Sequence, residues 1–295
     1  KERDRLELDI RVAQGVVCIA TTGYSSPAVE EIYLRARQLC ADLGDLQRIF
    51  PVLRGLWNLY VDRADLITAL EYAQNLVAQA ELEKNLERVA LANRALGFTC
   101  VLLAQSQEAH KALTRGVAAM TEQGKPADLR QYGEDGGLAS QQYLAWNTLF
   151  LGDPAGAIEL ARSSVVAADR LDHAVSRAFA RGNAATLYSM CEDIDQVLRI
   201  TGEMLEISES HGLIFWQAHA LRNRGWAMGH RGCISEGLQM LEEGDALWLG
   251  SGALVMRTMH HYLVAELHGL AGDIELGLAA TQKGLQLVKK HNDHW

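Results

Sequence analysis

Proline is scarce in this chain, with four in 295 residues. So few breaks leave room for long, uninterrupted helices. Cysteine is scarce too. Cys18, Cys40, Cys100, Cys191 and Cys233 are odd in number, widely spaced, and form no CxxC pair. That argues against a disulfide framework or a zinc knuckle and fits small buried residues of a reduced, cytoplasmic protein. No apolar run approaches the ~18 residues of a membrane span, and no signal peptide is visible. Basic charge is also short, with 28 Lys and Arg against 37 Asp and Glu, a net charge of −9. Gripping nucleic acid normally needs a basic face, so no direct nucleic-acid binding is expected.

Catalytic signatures are missing as well. There is no GxxxxGK[ST] to cradle phosphate, no HExxH and no GxSxG. His261 and His268 are spaced to share a helix face, with His260 and Glu266 near them, but a metal would need further ligands from other helices. Adjacent acids such as Glu30-Glu31 and Glu242-Glu243 point apart on a helix. The expectation is a segment that is not an enzyme, with no metal and no cofactor.

What is present is repetition, which has to be read before anything else. Leu221–Gly244 reads as helix, turn, helix, with small residues at Gly225, Gly237 and Gly244 where two helices must touch. The facing positions on first helices are Trp57, Gly97, Ala145, Ala185, Gly225 and Ala265, spaced by 40, 48, 40, 40 and 40. Second helices carry Ala69, Ala109, Ala157, Val197, Gly237 and Gly277 at the same spacings. Trp57 is the bulky exception. The surplus of eight falls at the irregular stretch 121–137, TEQGKPADLRQYGEDGG. No segment alternates like a strand, so the chain is predicted to be all-α. With an N-terminal pair included, the count is about seven helical hairpins in one domain, residues 1–295, with an irregular insertion at 121–137. Lys1 and Trp295 read as the ends of a segment cut from a longer protein, and oligomeric state, including a homodimer, stays open.

This pattern resembles the tetratricopeptide repeat, although the period is forty residues rather than the usual ~34. The resemblance implies a right-handed α-solenoid with a concave face built from the first helices. In such hairpins the fifth and ninth positions of the first helix tend to face the groove. Here these include Arg54, Asn58, Arg94, Phe98, Gln142, Trp146, Arg222, Trp226 and Tyr262. Arg94/Phe98 and Arg222/Trp226 are i,i+4 pairs, so each arginine lies near a ring. Arginine and tryptophan anchor many interfaces, and an arginine lining suits an acidic small ligand. The same residues also suit packing between hairpins, with arginine stems covering the rings. In the insertion, Tyr132 and Asp135 are loop candidates, for a lid or for a tolerated surface loop.

Several local sequences stand in order: TGYSSP at 22–27, FPVLRGLW at 50–57, GFT at 97–99, YGED at 132–135, RGWA at 224–227, EG at 236–237 and AE at 265–266. Together they resemble the C-terminal tetratricopeptide region of large bacterial signalling ATPases. In that family an AAA/STAND-type ATPase module precedes the repeats. A class III adenylate/guanylate cyclase or a DNA-binding domain often precedes that module. The resemblance implies a regulatory sensor whose partners are another protein or the parent's own ATPase and cyclase modules. A small-molecule sensor domain of an ATPase-type transcriptional regulator is the alternative.

Overall fold

The computed structural model describes residues 1–22, 25–125, 127–129 and 134–292. Among the described residues there are fourteen α-helices and no strand. They run α1 Glu2–Thr22, α2 Pro27–Leu43, α3 Leu46–Asp62, α4 Leu66–Glu83, α5 Leu86–Leu102, α6 Ser106–Gln123 and α7 Gly136–Phe150. The rest are α8 Pro154–Asp169, α9 Ala174–Met190, α10 Ile194–Ser210, α11 Ile214–His230, α12 Ile234–Gly250, α13 Arg257–Ala271 and α14 Ile274–His291. They pair into seven antiparallel hairpins. The first helices of successive hairpins also touch each other, from α1 through α13, so they make the inner layer.

One turn is used six times. The residues with positive φ between the two helices of hairpins two to seven are Ala64, Ala104, Gly152, Glu192, Gly232 and Gly272. The amide after each one reaches back to a carbonyl five residues earlier, as in Asp65 N to Tyr60 O at 2.9 Å and Asp193 N to Tyr188 O at 2.9 Å. That bond satisfies a helix end that would otherwise be orphaned. In three of the six turns the following residue also caps the next helix with its side chain. Asp65, Asp153 and Asp193 each accept an amide hydrogen bond from the first turn of the second helix.

The small residues lie where the sequence places helix contacts. A Cβ on Gly225 would stand 2.6 Å from the Gly237 carbonyl oxygen, so α11 and α12 cross backbone to backbone there. At Gly244 a Cβ would meet Arg222 Cγ at 2.8 Å. Trp57, the bulky exception, is buried and donates from Nε1 to Thr99 Oγ1 of the next hairpin at 2.9 Å.

The insertion is shorter than its composition suggests. Helix α6 continues to Gln123, and α7 begins at Gly136, capped by Asp135. Gly136 and Gly137 are packing residues rather than loop residues. A Cβ on Gly136 would stand 2.8 Å from the Leu91 amide nitrogen, and one on Gly137 2.6 Å from Met120 Cγ.

The array closes on itself. The α12–α13 linker brings Leu254 N and Val255 N to the Asp62 carbonyl, at 2.6 and 3.2 Å. Ser25 Oγ donates to the Gly252 carbonyl, and Arg63 Nε donates to the Ser25 carbonyl at 3.1 Å. His291, at the end of α14, hydrogen-bonds the backbone of Ala64. The first two hairpins therefore meet the last two. Among the described residues no helix is long and apolar enough to cross a membrane.

Candidate functional site

Closure turns the inner face into a cavity of about 300 Å³. Its wall descends through the inner layer. Helix α3 supplies Arg54, Asn58 and Asp62 from its second half, and α5 supplies Arg94 and Phe98 from its middle. Helix α7 supplies Tyr143 and Trp146, and α9 supplies Phe179 and Asn183. Helix α11 contributes only its first turns, through Phe215, Trp216 and His219. Trp248 on α12 and the linker residues Val255 and Met256 complete the wall. Because successive hairpins are rotated, the cavity crosses each first helix nearer its N-terminus than the last.

One end of the cavity is charged. Arg54 Nη2 meets Glu134 Oε1 at 2.8 Å, and Arg94 Nη2 meets Glu134 Oε2 at 3.3 Å. Burial works against the Glu134 carboxylate. Arg94 and then Arg54 outweigh it and hold its pKa below the ordinary carboxylate value. The Arg94 guanidinium lies over Trp57, Tyr143 and Phe98, at 4.8, 5.5 and 5.9 Å from their centroids. Burial pushes the Asp62 carboxyl up to about 7, against the pull of Arg94.

The remainder is an aromatic ladder. Phe98 stacks on Tyr143 at 4.1 Å, Tyr143 meets Phe179 edge-on at 5.8 Å, and Phe179 meets Trp216 edge-on at 5.6 Å. Such pairs add stabilisation beyond the area they bury. Gly182 lets α11 pack closely on α9, because a Cβ there would stand 3.0 Å from His219 Nδ1 and 3.1 Å from Trp216 Cζ3. His219 Nε2 is 3.0 Å from Thr186 Oγ1, and burial, then Arg222, push its pKa down to about 3, so the ring is neutral.

Of the residues singled out in the sequence, the structure brings Arg54, Asn58, Arg94, Phe98, Trp146 and Asp135 to this one wall. Trp146 is also a packing residue, donating from Nε1 to the Asn183 carbonyl at 2.9 Å. Asp135 mainly caps α7, accepting from Gly137 N and Leu138 N. Gln142 is fully buried between hairpins and donates to the Ala180 carbonyl at 3.2 Å. Arg222 is buried too, donating to the Met256 carbonyl at 2.8 Å with its guanidinium 4.7 Å from the Trp248 ring centroid. Trp226 donates to Glu266 Oε2 at 2.8 Å. Trp226 and the exposed Tyr262 instead line a separate apolar groove of about 580 Å³ near α14. Tyr132 lies outside the described residues. The arginines at the cavity, which suggested an acidic ligand, are already engaged by Glu134.

Glu134, part of the YGED motif in the insertion, reaches the cavity as the partner of both arginines, whereas Asp62, Phe179, Trp216 and His219 were not singled out. Phe179 and His219 are forty residues apart and sit at one repeat position, which is the signal that could have found them. Among the described residues no cluster of three or more His, Cys, Asp or Glu is placed to hold a metal ion.

No family model matches the chain. An uncharacterized protein of Rhizobium meliloti (strain 1021) is 24% identical over 287 residues, which are 96% of this chain and 27% of that protein. The chain thus spans about a quarter of the length of that relative. Among solved structures, NprR in complex with its cognate peptide NprX superposes with a TM-score of 0.59 at 13% identity, covering 96% of this chain and 79% of that one. A Rap protein complexed with competence and sporulation factor gives 0.58 at 12% identity, covering 97% and 98%. These likenesses show the fold: the chain is a tetratricopeptide-like α-solenoid.

Proposed function

We propose that this chain is a non-catalytic regulatory sensor module, whose inner cavity takes a small ligand and whose closure reports its presence. The observation that carries this reading is the cavity itself. Five first helices and the α12–α13 linker converge on one aromatic wall with a charged end. A concave, mostly apolar site with a few placed polar groups is the usual form of a small-ligand pocket. The two solved neighbours of this fold, one in complex with its cognate peptide and one with competence and sporulation factor, support a regulatory binding role.

The module belongs, on this reading, to a longer bacterial signalling protein, an ATPase with a cyclase or DNA-binding output. The support is the order of short motifs that resemble that family, and a relative almost four times as long as the stretch matched. A partner protein, including the parent's own ATPase module, would bind the outer surface or the groove near α14 in response. Native mass spectrometry of the purified chain tests the sensor reading. The expected result is a discrete small-molecule mass that disappears on denaturation, or a melting temperature raised by an added metabolite. A bare chain, with a melting temperature that no metabolite in a broad screen shifts, would instead leave a protein-interaction scaffold.

A further inference from the structure

The cavity wall carries one carboxylate, Asp62, that the fold leaves without a hydrogen bond or ion pair among the described residues. Asp62 offers its backbone carbonyl to Leu254 and Val255, so its main chain is committed to the seam. Its carboxylate faces the cavity. Among the described residues no hydrogen bond or ion pair reaches that carboxylate. The charged and titratable groups around it are Arg54 on its own helix, Arg94 from α5, Glu134 ahead of α7 and Tyr143 on α7. Both arginines already share Glu134. Tyr143 is neutral, its pKa pushed up to about 12 by burial. The linker residues Ala253–Met256 bring no charge.

A half-buried carboxylate without a partner is costly, and its natural complement is a cation or a strong donor. The rings beyond it point the same way, because an aromatic face attracts positive charge. An anion would find both guanidiniums occupied and two carboxylates nearby. We infer that the cavity takes a small organic cation, an ammonium joined to a flat apolar body, with the ammonium against Asp62 and the body along Phe179 and Trp216. This rests on the reading of the cavity as a ligand site. A volume of about 300 Å³ is at the small end for such sites and suits an amine of modest size.

The inference carries a pH signature. With burial pushing its carboxyl up to about 7, Asp62 is partly protonated near neutral pH. A cation prefers the ionised form, so binding expels that proton, and affinity should rise about tenfold between pH 6 and pH 8. A neutral ligand would show no such rise.

The test uses three probes with one ring: 4-fluorophenethylamine, 2-(4-fluorophenyl)ethanol and 3-(4-fluorophenyl)propionate. Fluorine NMR follows each with the full chain. At pH 8 the amine should bind at least tenfold more tightly than the alcohol or the acid. Asp62→Asn should bring the amine down to the level of the alcohol and leave the alcohol unchanged, which also shows that the cavity is intact. The pH series on the unaltered chain is independent of any variant. Equal or tighter binding of the acid, an amine affinity flat from pH 6 to 8, or an Asp62→Asn variant that keeps the amine's advantage would overturn the cation while leaving a ligand cavity. If none of the probes binds at millimolar concentration, both the cation and the cavity reading fall.

Discussion

Arg94 with Phe98 and Arg222 with Trp226 occupy the same two positions of the forty-residue repeat, yet they do different things. Arg94 sits in a wall, shared between Glu134 and three rings, with Phe98 exposed to the same cavity. Arg222 is sealed inside a hairpin junction against Trp248 and the Met256 carbonyl, and burial drops its pKa to about 10. Trp226 has turned away toward Glu266 and the groove near α14. The difference teaches that repeat position fixes which helices touch, whereas superhelical rotation fixes which residues face the centre.

The contrast is sharpest in stability. Arg222→Glu places a carboxylate in a buried site near Asp245, and we expect a loss of about 3–5 kcal/mol. Arg94→Gln, at the cavity wall, should cost less than half of that. Urea denaturation of both variants reads the comparison directly, and equal costs would break it. The next largest effect is at the glycine crossing beneath Trp226. Gly237→Ala pushes a methyl into the Gly225 carbonyl and should cost about 2–4 kcal/mol. A loss under 0.5 kcal/mol would show that α11 and α12 are not in backbone contact.

A smaller effect, of opposite sign, belongs to the cavity. Asp62 is raised to about 7 in the fold, above its unfolded value, so its ionisation opposes folding. That group's favourable contribution is whole below about pH 4 and is lost as pH rises through 7. Asp62→Asn should therefore be more stable than the parent at pH 8, by about 1–2 kcal/mol in urea denaturation once its partial exposure is discounted, with the gap narrowing at pH 5. The smallest effect compares the two hairpin turns. Gly232, with φ of 90°, follows the helix of Arg222, while Ala104 holds a positive φ of 54° after the helix of Arg94. Ala104→Gly should stabilise by about 1 kcal/mol, measured by thermal denaturation.

Much of the architecture was legible because it is written in short-range chemistry. The small residues at Gly225, Gly237 and Ala265 gave the helix contacts. Gly136 and Gly137 misled, because close approach to Ala90, Leu91 and Met120 demands glycine as strongly as a loop does. The site was only half legible. Arg54, Arg94 and Phe98 follow from a fixed register, since the cavity crosses α3 and α5 near their middles. Phe179 and His219 share a repeat position that could have paired them, but that they and Trp216 face the centre does not follow, because no local residue encodes the rotation accumulated over several hairpins. The seam between Asp62 and Leu254 joins residues far apart in sequence through backbone groups that every sequence possesses. Nothing in side-chain pattern could announce it.

The central claim is that the solenoid closes, and the amides of Leu254 and Val255 report it most directly. Native-state hydrogen exchange of the chain, resolved by residue with NMR, should find both protected through their bonds to the Asp62 carbonyl, in a linker with no helical bonds of its own. Exchange of both at the rate of an unstructured peptide, with the flanking helices still protected, would mean that the seam is open and that the cavity is only an exposed groove.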